Sequence, residues 1–299
     1  MADSVRAEEL RKRVEGIRLL TLRLVDESLA GEYHSSFKGQ GIEFDEVRPY
    51  IPGDDVRSID WNVTARSGYP HIKRYSEERE LTVVFLVDVS GSQNCGSASR
   101  TKSELAAFVT CLLAMAATEN ADNVGLVNFS DRIGKVIPPS KGRTAALRIV
   151  RDVLAAEGEA SGGTNIAEAL RYLGRVYKRR ALVFLVSDFQ DTGYEAELRI
   201  AARRHDLVAI AISDPRETSL PDAGLVELQD PETGEVFLAD TSSRAVREAF
   251  GAAAAASEET KRLIFSRSGI DTVELSTTDT DNDVVLKIRK LFGRRERRR

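Results

Sequence analysis

The chain has 299 residues, with 43 Lys and Arg against 47 Asp and Glu, for a formal net charge of −4. At 42% hydrophobic and 30% charged residues it has the composition of a folded globular protein, not of a disordered chain or a nucleic-acid binder driven by bulk charge. Two cysteines, Cys95 and Cys111, exclude a disulfide framework and a four-cysteine zinc site, and three histidines leave little for multi-histidine metal chemistry.

The N-terminus is charged from the start, at Asp3, Arg6, Glu8 and Glu9, and lacks a signal-peptide core. The longest apolar run, Leu105 to Ala117, is interrupted by Thr110 and is shorter than the roughly 20 residues a membrane span needs. The expectation is a cytoplasmic protein with no membrane span. Leu10, Val14, Ile17, Leu20 and Val25 recur at helical spacing, predicting one helix over residues 4–30 that ends at Gly31. Residues 31–80 change character: Gly41 to Tyr50 and His71 to Glu78 read as strands, Pro52 to Asp55 as a turn, and charges of both signs (Asp54, Asp55, Arg57, Asp60) as an internal ion-pair network. The single Trp61 is expected to anchor this layer.

From Leu81 the pattern is regular. Residues 81–88, LTVVFLVD, form a short continuous apolar run that predicts a buried strand, and residues 181–188, ALVFLVSD, form another. Further strands are expected at 123–130, 132–138, 206–214 and 270–277, and helices at 103–120, 144–156, 165–178, 194–205, 242–266 and 281–292. Alternation of this kind predicts an α/β fold: a doubly wound, mostly parallel sheet with helices on both faces. A hairpin is inserted at 225–240 around Pro231-Glu232-Thr233-Gly234. The domain division expected is 1–80 for the N-terminal helix and β-rich segment, 81–293 for the α/β domain, and 294–299 for a solvated basic tail of five arginines and one glutamate.

Three loops converge if the strands 81–88 and 181–188 are the central pair, because ligands of open α/β sheets bind beyond the carboxyl ends of strands where strand order reverses. They carry Asp88, Ser90 and Ser92 in a D-x-S-x-S pattern, Thr164 in Ser161-Gly162-Gly163-Thr164, and Asp188. These five side chains offer only oxygen, which suits a hard divalent cation, Mg²⁺ first, with Mn²⁺ and Ca²⁺ as alternatives. Two carboxylates against one such ion give approximate neutrality. A coordination position left open would accept a carboxylate from a partner. The competing explanation is that the hydroxyls cap helices and the aspartates satisfy loop amides.

This set resembles the metal-ion-dependent adhesion site (MIDAS) of von Willebrand factor A-type domains, over residues 81 to about 292. Upstream, residues 41–61 with Ala65-Arg66 resemble the signature of a bacterial family, domain of unknown function fifty-eight, fused ahead of an A-type domain. The resemblance implies a non-enzymatic interaction module linked to MoxR-type AAA+ ATPases. It also implies that Ser90, Ser92 and Thr164 ligate the ion directly while Asp88 and Asp188 act through water or hydrogen bonds. The sequence departs from the pattern at Gln93, where many relatives have methionine, and at Phe189, where other A-type domains have glycine.

The function expected is therefore an adaptor whose cation binds a protein partner, a MoxR-type ATPase or its client, with no role for nucleic acid. The alternative is a Mg²⁺-dependent phosphohydrolase or NTPase in the same pocket. Against it, Gly96 to Ser103 only approaches a phosphate-binding loop, since Thr101 stands at its second glycine, and no histidine falls near Ser90 to act as a base. A second carboxylate two positions after Asp88 is also missing, because Ser90 is there. Cys95 is read as an incidental loop thiol.

Overall fold

The computed structural model describes residues 2–25, 27–37, 43–76, 80–94, 96, 100–156, 162–229 and 234–298. The expected α/β architecture is present. Six strands form one sheet: β3 (Thr82–Asp88), β4 (Asn123–Phe129), β5 (Ile133–Ser140), β6 (Leu182–Ser187), β7 (Asp206–Ser213) and β10 (Asp271–Ser276), in the order β10-β7-β6-β3-β4-β5. Every pairing is parallel except that of the edge strand β5 with β4. The central pair is the one expected, β3 beside β6, with Val83 opposite Leu182 and Val87 opposite Val186. From β3 the chain steps outward to β4 and later returns to the other side at β6, so strand order reverses between β3 and β6.

Alternation along the strands divides the core into two layers. Val84, Leu86, Val127, Phe129, Val183 and Leu185 point to one face, where they pack with Ile166 and Leu170 of α6 (Ile166–Val176), Leu198 of α7 (Glu195–Arg204) and Phe265 of α8 (Arg244–Ser268). Helix α4 (Lys102–Glu119) packs on the sheet and is itself covered by α1 (Ala2–Leu24) and α5 (Arg143–Ala155). The apolar run Leu105–Ala117 is thus a helix enclosed on nearly every side. No helix among the described residues is long and apolar enough to cross a membrane.

The single helix expected over 4–30 is two, α1 and α2 (Glu27–Phe37), and Gly31 lies inside the second instead of ending the first. The physical reason lies in what the second helix buries. Leu29, Tyr33 and Phe37 are all buried. The Tyr33 hydroxyl donates to Asp122 Oδ2 at 3.0 Å, and the Asn120 amide donates to the carbonyl oxygen of Ala30 at 3.1 Å. Arg13 of α1 pairs with Glu104 of α4 at 3.0 Å. These bonds attach α2 to the loop before β4 and α1 to the first turn of α4, and the compact units divide accordingly: Met1–Ser36 with Thr82–Arg299, and Phe37–Leu81 by itself. The division expected at residue 80, with the first helix in the smaller part, is corrected in this respect.

In the smaller unit β1 (Glu43–Pro49) pairs antiparallel with β2 (His71–Ser76). The acidic residues between them are local fasteners more than a network. Arg48 clasps Asp54 through two hydrogen bonds at 2.9 and 2.7 Å, Asp55 accepts from the Arg57 N–H, and Asp60 caps α3 (Trp61–Ser67) through the N–H groups of Asn62 and Val63. Trp61 does not anchor this layer; it is 70% exposed at the first turn of α3. The inserted hairpin is present as β8 (Leu225–Gln229) and β9 (Val236–Asp240), and most of its turn lies outside the described residues.

The basic tail differs from the solvated segment expected. Helix α9 (Asp281–Glu296) runs into it, and Arg295 is buried, donating to Asp206 at 2.6 and 2.5 Å and to Asp271 at 2.7 Å, while Arg298 reaches Asp271 at 2.9 Å. Two carboxylates at the starts of β7 and β10 therefore hold the arginines as structural cations.

His205, at the amino end of β7, is buried, and its Nδ1 accepts the Ala181 N–H at 3.3 Å. Burial, with the charges of Arg204 and Arg180, pushes its pKa down to about 4. Between pH 6.5 and about 4 the unfolded chain therefore takes up a proton that the folded chain refuses. This stabilisation is fully present above pH 6.5 and is lost as the pH falls towards 4. In urea unfolding, the wild type is expected to lose stability relative to His205→Asn across that window and to keep a constant difference above it. A pH-independent difference would show an imidazole that titrates normally.

Candidate metal site

Parallel pairing of β3 with β6 brings Asp88 and the Ser187-Asp188 pair to the same carboxyl edge. Both aspartates are 2% exposed, and Ser90 and Ser92 are buried beside them. Asp88 Oδ1 accepts the Ser90 N–H at 3.0 Å, and Oδ2 accepts the Ser187 hydroxyl at 2.6 Å. Ser90 Oγ and Ser92 Oγ lie 3.1 Å apart, and Ser92 Oγ donates to Asp188 Oδ2 at 3.0 Å. Four of the five sequence-selected residues thus form one hydrogen-bonded cluster. Thr164 is half-buried in the segment before α6. The next residue ties that segment to the end of β4, the Asn165 N–H donating to the Ser130 carbonyl oxygen at 2.8 Å, and the Ile166 N–H donates to Asp191 beyond β6. It therefore stands at the same edge of the sheet. Helix capping, the competing explanation, accounts for Asn165, which caps α6, and for Thr101, which caps α4, but not for Ser92.

Three residues of the cluster were not singled out from the sequence. Ser187 is one. The others are Lys102 and Glu217. Lys102 is fully buried, and its Nζ donates to Asp188 Oδ2 at 2.7 Å and also to Glu217. Burial alone would favour the neutral amine, but the charges of Asp188 and Glu217 overcome it and raise the lysine pKa. One signal was available in the sequence: a lysine in the first turn of a helix opposes the helix dipole and calls for an anionic partner. The loop that approaches a phosphate-binding pattern therefore ends in a lysine already committed to carboxylates.

The electrostatics are unbalanced in one direction. Asp188 and Glu217 share Lys102, whereas Asp88 accepts only from neutral donors. Burial and the charge of Asp188 push the Asp88 carboxyl up to about 7, although the hydrogen bonds from Ser187 and Ser90 oppose this. With all three carboxylates ionised, the charge against one ammonium is minus two, the amount one divalent cation offsets. Gln93, next to Ser92, is buried with neither amide atom hydrogen-bonded, a further polar group in want of a partner. The donor set thus fits a hard divalent cation: oxygen only, with hydroxyls adding ligands without charge. No cluster of three or more His, Cys, Asp or Glu side chains suited to a metal exists among the described residues, so any cation here depends on the hydroxyls.

Phe189 explains how the pattern tolerates the loss of glycine after Asp188. Its backbone is left-handed, with φ 58°. Its ring is buried, packing edge-on against Phe265 at 4.8 Å between centroids and near Tyr194 at 6.1 Å. The side chain that strains the backbone also fixes the loop to the core. Cys95 lies outside the described residues.

A model for the family described as "Protein of unknown function DUF58" matches residues 46–260, which include all five selected residues. The chain belongs to the DUF58 family. It is 34% identical over 245 residues to an uncharacterized protein, Rv1480, of Mycobacterium tuberculosis, covering 80% of this chain and 76% of that one. Among solved structures, BatB from Bacteroides thetaiotaomicron aligns with a TM-score of 0.49 at 15% identity, over 73% of this chain and 99% of that one. The SpRpn10 von Willebrand A domain aligns with a TM-score of 0.38 at 10% identity, over 72% and 95%. The family match spans strands β3 to β7 of the six-stranded sheet, the hairpin β8–β9 and most of α8.

Phe189→Gly in this DUF58 protein sets two effects against each other. Relief of the left-handed backbone is worth about 1–2 kcal/mol, and deletion of a buried Phe costs about 3–5 kcal/mol. Urea unfolding is expected to show a net loss of about 2 kcal/mol. A variant as stable as the wild type would show that backbone strain outweighs the packing.

Proposed function

We propose that this DUF58 protein is a non-enzymatic interaction module whose sheet edge holds one divalent cation, Mg²⁺ first, and through it a carboxylate of a protein partner. The observation that carries this reading is the cluster of Asp88, Asp188 and Glu217 around the single ammonium of Lys102, two negative charges short of neutrality when the carboxylates are ionised. Ser90, Ser92 and Thr164 would supply direct oxygen ligands. Asp88 and Asp188 would act through hydrogen bonds and water, as their existing bonds to Ser90, Ser92 and Ser187 favour. When bound, the cation supplies an electrophilic position that an aspartate or glutamate of the partner completes. The von Willebrand A-like fold supports a protein-interaction role, and the family resemblance directs the search to a MoxR-type AAA+ ATPase or its client.

The phosphohydrolase alternative has less support. Asp88 accepts a hydrogen bond at each oxygen from groups fixed in the fold, which lowers its nucleophilicity, and no general acid or base stands beside it among the residues bonded to it. His205 lies at the amino end of β7, the opposite edge of the sheet.

Calorimetric titration with Mn²⁺ and Mg²⁺ is expected to give one site per chain. Ser90→Ala with Ser92→Ala should reduce that affinity at least about tenfold, the loss of two charge-assisted ligands, with a cooperative melt retained. A pull-down with purified MoxR-type ATPase should retain it in Mg²⁺ and release it in EDTA. Equal retention in both, and by the double variant, would overturn the metal-bridged reading.

A further inference from the structure

The geometry points to Lys102 as a resident counter-ion that sets the charge selectivity and affinity of the metal site. This inference rests on the proposed reading that the site takes a cation, and goes beyond it to the residue that tunes which cation and how tightly.

Four observations carry it. The ammonium has no water to turn to, because the side chain is 0% exposed, so its charge stays in the site. It occupies the side of Asp188 that faces Ser92: Oδ2 accepts from Lys102 at 2.7 Å and from Ser92 at 3.0 Å, while Oδ1 accepts the Gln190 N–H at 3.3 Å. Asp188 is thereby engaged as an acceptor of hydrogen bonds, and Asp88 is the carboxylate without a cation of its own. The lysine is also held from its far side. Glu217 takes Lys102 with Oε1 and the Asp214 N–H, at 2.9 Å, with Oε2, in a one-turn capping box that Thr277 braces through Asp214 at 2.6 Å. Finally, Lys102 opens α4, so the partial positive charge of the helix N-terminus adds to its own at this edge.

A fixed positive charge within a few ångströms of a cation site lowers its affinity for every cation, and more steeply the higher the ion's charge. With Lys102 in place the deficit is two. Without it the deficit is three, which favours tighter binding and a shift towards trivalent ions. Neutralising Glu217 while keeping the lysine leaves a deficit of one and should weaken binding. A lysine with a merely structural role predicts the opposite for its own removal, because loss of Asp188's partner would loosen the site.

The test is calorimetric titration of the full-length protein with Mn²⁺ and with Tb³⁺, on wild type, Lys102→Met, Glu217→Gln and the double variant. Lys102→Met is expected to bind Mn²⁺ about tenfold or more tightly than wild type, with a larger gain for Tb³⁺. Glu217→Gln should bind both more weakly, and the double variant should return close to wild type. A folded Lys102→Met that binds Mn²⁺ equally or less well overturns the assignment. If that variant does not fold, Glu217→Gln decides, since it keeps the lysine's bond to Asp188: unchanged affinity overturns the assignment. Wild-type binding that none of the variants alters defeats the role of Lys102 alone. Failure of all four proteins to bind either ion defeats both this assignment and the metal-site reading.

Discussion

The constraint on which the site depends is the burial of opposite and unequal charge at the carboxyl ends of β3 and β6. An isolated buried carboxylate is costly and neutralises itself unless it is paired. Asp188 is paired, with Lys102. Asp88 is not, and it is restrained only by a hydroxyl and an amide. A fold that needed these aspartates only as loop fasteners would gain by making one of them Asn or Ser. Retaining an uncompensated acid in the dry edge of a sheet has a stability cost, which either protonation of Asp88 or the proposed cation would offset.

The rest of the larger unit can be read as what fixes this edge. Parallel strands β3 and β6, buried on both faces, cannot slip in register without exposing their apolar side chains, so Asp88 and Asp188 are held side by side. Helix α4 delivers Lys102 from the opposite direction, and its position is fixed because α1 and α5 enclose it. The 3₁₀ turn after β7 delivers Glu217. The loops after β6 and β7 and one helix end thus converge on one ammonium, and displacement of any of them would unpair the buried Lys102, an event that costs several kcal/mol.

Much of this was legible in the sequence, and the reasons for success and failure are physical. Continuous β-branched runs announce buried parallel strands, so the sheet, its central pair and the aspartates at its edge could be read directly. The hydroxyl spacing of Ser90 and Ser92 was likewise local. Lys102 could be suspected from its place in the first turn of α4, but its partners could not, because Asp188 and Glu217 lie 86 and 115 residues away along the chain and only the fold brings them to it. The break between α1 and α2 escaped for a similar reason: a helical period continues across it, and the break serves to bring Tyr33 to Asp122. Trp61 and the arginine tail show the converse error. Residue type suggested a buried tryptophan and solvated arginines, but position decided otherwise, leaving Trp61 in solvent and drawing Arg295 into Asp206 and Asp271.

The two residues at which the sequence departs from the pattern it resembles, Phe189 and Gln93, act on the site in different ways. At Phe189 the backbone is left-handed, and burial of the ring against Phe265 offsets its strain. At Gln93 the amide is buried without a partner. Such a group costs about 1–3 kcal/mol where it stays unsatisfied. The first residue ties the loop to the core by packing and adds no polar group. The second adds a donor and an acceptor beside Ser92 that the fold leaves unsatisfied. The backbone path on one side of Asp188 is therefore set by apolar contact, and the polar lining next to the two serines is the part of this edge that the fold itself does not complete.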